Sequence, residues 1–231
     1  MLKFKFDANQ PYQLQAIQSV TALFRQQAYQ PPEISTWQGA SVISNSLQLD
    51  DLLILENLKN VQQQNGLDLT FKLKSRDFSV EMETGTGKTY VYLRTILELY
   101  KQYGLRKFII IVPSIAIREG VLKTLQITQE HFSELFDGQP YRYSVYQSKM
   151  LSQLRQFALG DSVEILIMTI DSFNKDSNVI HNNTDRLAGA RPIDLIQGTH
   201  PILILDEPQN MESEKARQAI QLLKILLILL L

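Results

Sequence analysis

Five consecutive residues, Gly85-Thr86-Gly87-Lys88-Thr89, stand between a run that alternates like a strand, "DFSVEME", and a run with helical spacing, "YVYLRTILELYKQYG". Strand, glycine-rich turn and helix start together make a phosphate cradle, because backbone N–H groups curl around an anion at the positive end of the helix. Within Thr84, Gly85, Thr86, Gly87, Lys88 and Thr89, the glycines permit the turn and a close approach. Lys88 would reach the β and γ phosphates of a nucleotide, and the Thr89 hydroxyl would complete the shell of Mg²⁺. The usual pattern, G-x-x-x-x-G-K-[ST], requires a glycine where Met82 stands, so the pattern alone leaves room for a plain glycine turn with an incidental lysine.

A second pair of residues strengthens the nucleotide reading. In "PILILDEPQN", Asp206 and Glu207 directly follow an apolar run. A second strand of the same sheet would bring them beside the glycine loop, where Asp206 would hold Mg²⁺ through its water shell and Glu207 would polarise the attacking water. By itself an Asp-Glu pair after a strand is most often a solvated turn.

The elements that must position these groups follow from periodicity. "KFIIIVPS", "VEILIMTIDSF" and "PILILDEPQ" are short apolar runs, separated by helical patterns such as "IREGVLKTLQITQEHFSELF". Fully apolar strands alternating with helices predict an α/β fold, with a parallel sheet covered on both faces. Ligands of such sheets lie beyond the carboxyl ends of the strands, where the distinctive polar residues are found. Upstream, "PYQLQAIQSVTALFRQQA" reads as an amphipathic helix opened by proline, and "DDLLILENLKNVQQQNG" as a helix stopped by Asn65 and Gly66. The expected organisation is an N-terminal helix in residues 1–30, a helical insertion or arm in 31–78, a nucleotide-binding domain in 79–224 and an apolar tail in 225–231.

Composition sets the outer limits. The chain has 231 residues, 44% hydrophobic and 20% charged, with a net charge of −1, so no global basic field announces nucleic acid and any such contact must be local. There is no cysteine, which excludes disulfides and thiolate metal sites, and the three histidines are scattered. No apolar h-region follows the N-terminus, which predicts a cytoplasmic protein. The closing "ILLILLL" is far short of the roughly 20 residues that span a bilayer, so no membrane anchor is expected. A bare apolar run at a chain end is an aggregation hazard, and the expectation is a tail outside the fold rather than a buried helix or strand.

Taken together, "METGTGKT", "IIIVPSIAIREGV" and "ILILDEPQNMES" resemble motifs I, Ia and II of superfamily-two helicase-type motors, in which the first P-loop glycine is often replaced. The D-E-P-Q form of motif II is most similar to the Res subunit of type III restriction enzymes. The resemblance implies a RecA-like P-loop domain that uses ATP and Mg²⁺. It also implies double-stranded DNA and a modification methyltransferase subunit as partners, with ATP-dependent movement or switching on DNA that leads to cleavage. Within it "PYQLQA" resembles the adenine-recognising Q motif, with Gln13 as the base-reading amide. The stretch around Pro113 implies DNA-backbone contact through Ser114 and Arg118. "MTIDSFNKDSN" looks like the next DNA-side motif, offering Thr169, Ser172 and Lys175, and Gln209 would couple the nucleotide site to a partner domain.

The family's pattern continues with a Ser-Ala-Thr motif, a second RecA-like domain carrying an arginine finger, and a nuclease domain. The sequence holds "ILLILLL" where the first of these should begin. The expectation is a first RecA-like domain cut short and inactive alone. Another superfamily-two DNA or RNA helicase, or an inactive interaction module, would carry many of the same residues.

Overall fold

The computed structural model describes residues 6–174, 178–182, 191–211, 213–223 and 225–230. Among them the chain runs α1 (Pro11–Ala22), β1 (Ile34–Trp37), β2 (Ala40–Ile43), α2 (Asp51–Gln64), β3 (Asp77–Ser79), α3 (Lys88–Tyr103), β4 (Lys107–Val112) and α4 (Ile115–Leu135). It continues with β5 (Tyr141–Val145), α5 (Leu151–Leu159), β6 (Val163–Thr169), α6 (Pro192–Gly198), β7 (Ile202–Leu205), α7 (Glu214–Leu222) and β8 (Leu227–Leu230). A six-stranded sheet in the order β3-β8-β7-β4-β6-β5 is parallel throughout the described residues.

Two apolar layers sandwich this sheet, and the period of two along each strand decides which residue serves which layer. Phe108, Ile110 and Val112 of β4 join Ile165 and Ile167 of β6 and Ile202 and Ile204 of β7 under α1, α2, α3 and α4. Ile109 and Ile111, with Leu166, Met168, Leu203 and Leu205, face α5, α6 and α7. All six β4 residues are buried, which is why their run contains no polar alternation.

The closing apolar run departs from its expected place outside the fold. Leu227–Leu230 form β8, parallel to β7 on one side and to β3 on the other. Leu229 is register partner to both Phe78 and Ile204, and Leu227 and Leu229 are buried in the layer under α3. Burial on both faces is what an unbroken Ile/Leu run supplies, and a central strand position satisfies it as well as a free tail would not. Val80 N–H donates to Leu230 O at 2.8 Å, extending the pairing toward the glycine loop.

The segment 31–78 contains the expected helix α2 and also a hairpin. β1 and β2 pair antiparallel around Gln38 and Gly39, both at positive φ (45° and 82°), the two-residue turn whose twist matches its strands. The segment is tied to the domain rather than projecting from it. Asn45 Oδ1 accepts from Arg106 N (2.7 Å) and Lys107 N (3.1 Å), and its Nδ2 donates to Lys107 O (2.8 Å) and His200 O (3.2 Å). Asn57 Nδ2 donates to Leu23 O and Arg25 O, both at 3.1 Å, locking α2 to the end of α1.

Candidate nucleotide-binding site

The carboxyl end of the sheet gathers the polar residues singled out above. β3 ends at Ser79, and the loop that follows turns at Gly85 and Gly87, with φ of 83° and 87°. Both angles lie where a Cβ is strained, which is the conformational reason for glycine at these two positions. Gly87 is the N-cap of α3, so Lys88 and Thr89 occupy its first turn and the helix dipole points its positive end at the loop. Thr84 and Gly85 are exposed, while Thr86, Lys88 and Thr89 are half-buried. The Thr86 hydroxyl donates to Glu83 O at 2.6 Å, closing the turn.

Gln13, near the start of α1, reaches this loop. Its Nε2 donates to Thr86 O at 2.9 Å, and a Cβ on Gly87 would stand 2.7 Å from the same nitrogen. The amide therefore props the loop from behind, a contact that its place on a glutamine-rich helix did not disclose.

β7 delivers the carboxylates. Asp206 N–H donates to Ile111 O at 3.0 Å, which carries the chain across to the end of β4 before it turns. Glu207 then adopts φ +58°, a left-handed conformation unusual for a residue with a Cβ, and a short 3-10 turn follows at Pro208–Met211. The turn aims the Glu207 side chain at the loop. Its Oε1 lies 3.1 Å from Lys88 Nζ, and its Oε2 accepts from Gln209 Nε2. Hydrogen bonding from Lys88 holds the Glu207 carboxyl below the usual carboxylate range.

Asp206 has the opposite environment. It is 5% exposed, and burial raises its carboxyl above the ordinary value, partly offset by the hydrogen bond that Tyr92 donates to Oδ2 at 3.2 Å. Two adjacent carboxylates thus have opposite environments, one buried against a phenol and one hydrogen-bonded to an ammonium. Tyr92 carried no motif signal. Its spacing, one helical turn after Lys88, was the available clue, since i and i+4 share a helix face.

Asp206 and the Thr89 hydroxyl are the oxygen donors that would hold a Mg²⁺ ion here. Among the described residues no three His, Cys, Asp or Glu side chains cluster as an all-protein metal site. That donor set suits an ion that keeps several waters and is held jointly with substrate phosphates.

The residues expected to face DNA lie at the same sheet end. Val112 and Thr169 are register partners, so the loops after β4 and β6 sit side by side. Ser114 caps α4, its Oγ accepting from Ile117 N at 3.3 Å. The Arg118 guanidinium is paired with Glu119 at 2.8 Å, and the Ser172 hydroxyl donates to Thr169 O. Lys175 lies outside the described residues.

Residues 8–231 match the family described as type III restriction enzyme, res subunit. The chain belongs to that family. It is 29% identical over 92% of its length to the Res subunit of the type III restriction-modification enzyme EcoP15I of Escherichia coli, and 26% identical over 92% to the EcoPI Res subunit of Escherichia phage P1. It is 30% identical over 63% of its length to the StyLTI Res subunit of Salmonella typhimurium. The chain spans 24%, 24% and 17% of these relatives, about a quarter or less of their length. Family membership and the parallel sheet flanked by helices agree in a helicase-type, RecA-like domain of a restriction system. No helix among the described residues is long and apolar enough to cross a membrane.

Proposed function

We propose that this chain is the ATP-binding motor domain of a type III restriction Res subunit, working in the cytoplasm on double-stranded DNA with a modification methyltransferase. The observation that carries the reading is the convergence of Lys88 and Glu207, from α3 and the end of β7, to 3.1 Å at the mouth of a two-glycine loop. In this reading the backbone N–H groups from Gly85 to Thr89 cradle the phosphates and Lys88 neutralises charge between β and γ. Glu207, steadied by Gln209, orients a water and takes up its proton as the water attacks. Thr89 and Asp206 would hold Mg²⁺, which would supply Lewis-acid stabilisation of the phosphate oxygens. Gln13 reads the adenine edge, and Ser114, Arg118, Thr169, Ser172 and Lys175 meet the DNA backbone.

The 231-residue polypeptide by itself binds nucleotide and turns it over slowly or not at all. Thr84 and Gly85 are exposed, so water reaches the bound phosphates, and stabilisation of the transition state in phosphoryl transfer needs charge from a second lobe, worth about 10³ to 10⁵ in rate. Titration with a fluorescent ATP analogue, with and without Mg²⁺, tests the binding half of the reading. Steady hydrolysis on the order of 1 s⁻¹ by this polypeptide with DNA would overturn the rate statement.

A further inference from the structure

Tyr92 is 1% exposed and stands outside every motif discussed above, yet its hydroxyl touches a carboxylate assigned to the metal. The phenol donates to Asp206 Oδ2 at 3.2 Å. A buried carboxylate that faces a hydrated ion with one oxygen needs its other oxygen satisfied. The Tyr92 hydroxyl meets that demand by donating to Asp206.

We infer that Tyr92 is a positioning residue for the metal: its hydroxyl holds one oxygen of Asp206 and so fixes the direction in which the other faces. This rests on the nucleotide reading proposed above. Tyr92 touches neither phosphate nor metal. Its ring is packed under the sheet with Leu93, Ile96 and Ile204 in the apolar layer, so the hydroxyl has a fixed place from which to hold the Asp206 carboxylate. Groups behind the ligands of a metal commonly govern affinity by 10- to 100-fold.

The discriminating experiment measures ATP-analogue binding to the full 231-residue chain as a function of Mg²⁺ for the native protein and Tyr92→Phe. The expected result is a Mg²⁺ midpoint raised about tenfold in Tyr92→Phe, with affinity for metal-free nucleotide within about twofold of native. Combining Tyr92→Phe with Asp206→Asn should add little to Asp206→Asn alone, because the two act through one group. A native protein whose nucleotide binding ignores Mg²⁺ would overturn the nucleotide-site reading and the inference together. Native Mg²⁺ coupling that survives intact in Tyr92→Phe would overturn the inference alone, as would an equal loss with and without metal, the mark of a purely structural tyrosine. Should Tyr92→Phe fail to fold, 3-fluorotyrosine placed at position 92 keeps the hydroxyl and the packing. Its fluorine resonance should move on adding Mg²⁺ to the nucleotide-bound protein, and an unmoved resonance would overturn the inference.

Discussion

Lys88 Nζ and Glu207 Oε1 are 3.1 Å apart, so the cation that would grip the phosphates is held by the carboxylate that would activate water. An incoming polyphosphate has to compete with Glu207 for Lys88. Removing the carboxylate charge should free the ammonium and also remove repulsion of the γ phosphate. Glu207→Gln is expected to bind ATP about three- to tenfold more tightly, while losing whatever hydrolysis the protein supports. Lys88→Ala should weaken binding at least about tenfold, roughly 1.4 kcal/mol. Calorimetry that finds both variants unchanged would remove the pair from the site.

The adjacent carboxylates should respond to acid in opposite senses. Burial raises Asp206 and the Lys88 hydrogen bond lowers Glu207. The signs for stability are opposite. Glu207, depressed in the fold, contributes stability that is present above its unfolded value and lost as pH falls through the folded one. Asp206, raised in the fold, is held ionised at a cost at neutral pH, and the cost disappears as pH falls through its folded value. Asp206→Asn should therefore melt at a higher temperature than native at neutral pH, with the gap closing in acid, while Mg²⁺ no longer promotes nucleotide binding. A lower melting temperature for Asp206→Asn would contradict the burial argument.

The two loop glycines are expected to differ. Both have positive φ, but a Cβ at Gly85 meets nothing within 4 Å, whereas at Gly87 it meets Gln13 Nε2 at 2.7 Å. Gly85→Ala should carry backbone strain alone, of order 1 kcal/mol. Gly87→Ala adds displacement of the Gln13 amide from Thr86 O and should lose distinctly more nucleotide affinity. Gln13→Ala in the Gly87→Ala background should then change little further, and additive losses in that double variant would show that the amide does not prop the loop.

Much of the site was legible because its residues are constrained by chemistry. Glycine at positive φ, a lysine opening a helix and two carboxylates after an apolar run leave few alternatives. The apolar strands β4, β6 and β7 were equally plain, since burial on both faces leaves runs of Ile, Leu, Val, Phe and Met with polar residues only near their ends, at Lys107, Glu164 and Thr169. The hairpin at 34–43 was not legible, because its turn places Gln38, a residue with no special preference, in a left-handed conformation that only the tertiary setting selects. Nor was the role of Asn45, whose four hydrogen bonds join segments far apart in the chain. The final run misled for a specific reason: an unbroken Ile/Leu stretch has no period, and a central strand cannot be told from an unprotected tail without knowing that β3 and β7 lie on either side of it. Tyr92 reads as core from its spacing, and only the position of Asp206 gives its hydroxyl a purpose.

DNA binding should be weak and only mildly salt-dependent. Net charge is −1, and Arg118 already shares its guanidinium with Glu119. A nonspecific duplex is expected to release on the order of two to four counterions, and Arg118→Ala should reduce the slope by about one. A slope approaching ten in the native protein would mean that a basic surface far larger than these strand-end loops is engaged.

The last expectation concerns how the phosphate loop is anchored. β3 stands at the end of the strand order, and among the described residues β8 is its sheet partner. Leu229 faces Phe78 on one side and Ile204 on the other, and is 1% exposed. Truncating it to alanine leaves a cavity between the loop-bearing strand and the carboxylate-bearing strand, for a loss of about 2–5 kcal/mol. The loss should be uneven, because β4, β6 and β7 pair with one another without help from β8. Hydrogen exchange of Leu229→Ala should show the Val80 amide, bonded to Leu230 O in the native fold, opening first, with nucleotide affinity falling in step and β4 amides still protected. Uniform loss of protection would mean that the sheet unfolds as one unit. Unchanged stability would mean that β8 does not hold β3 in place, and the phosphate loop would need another anchor.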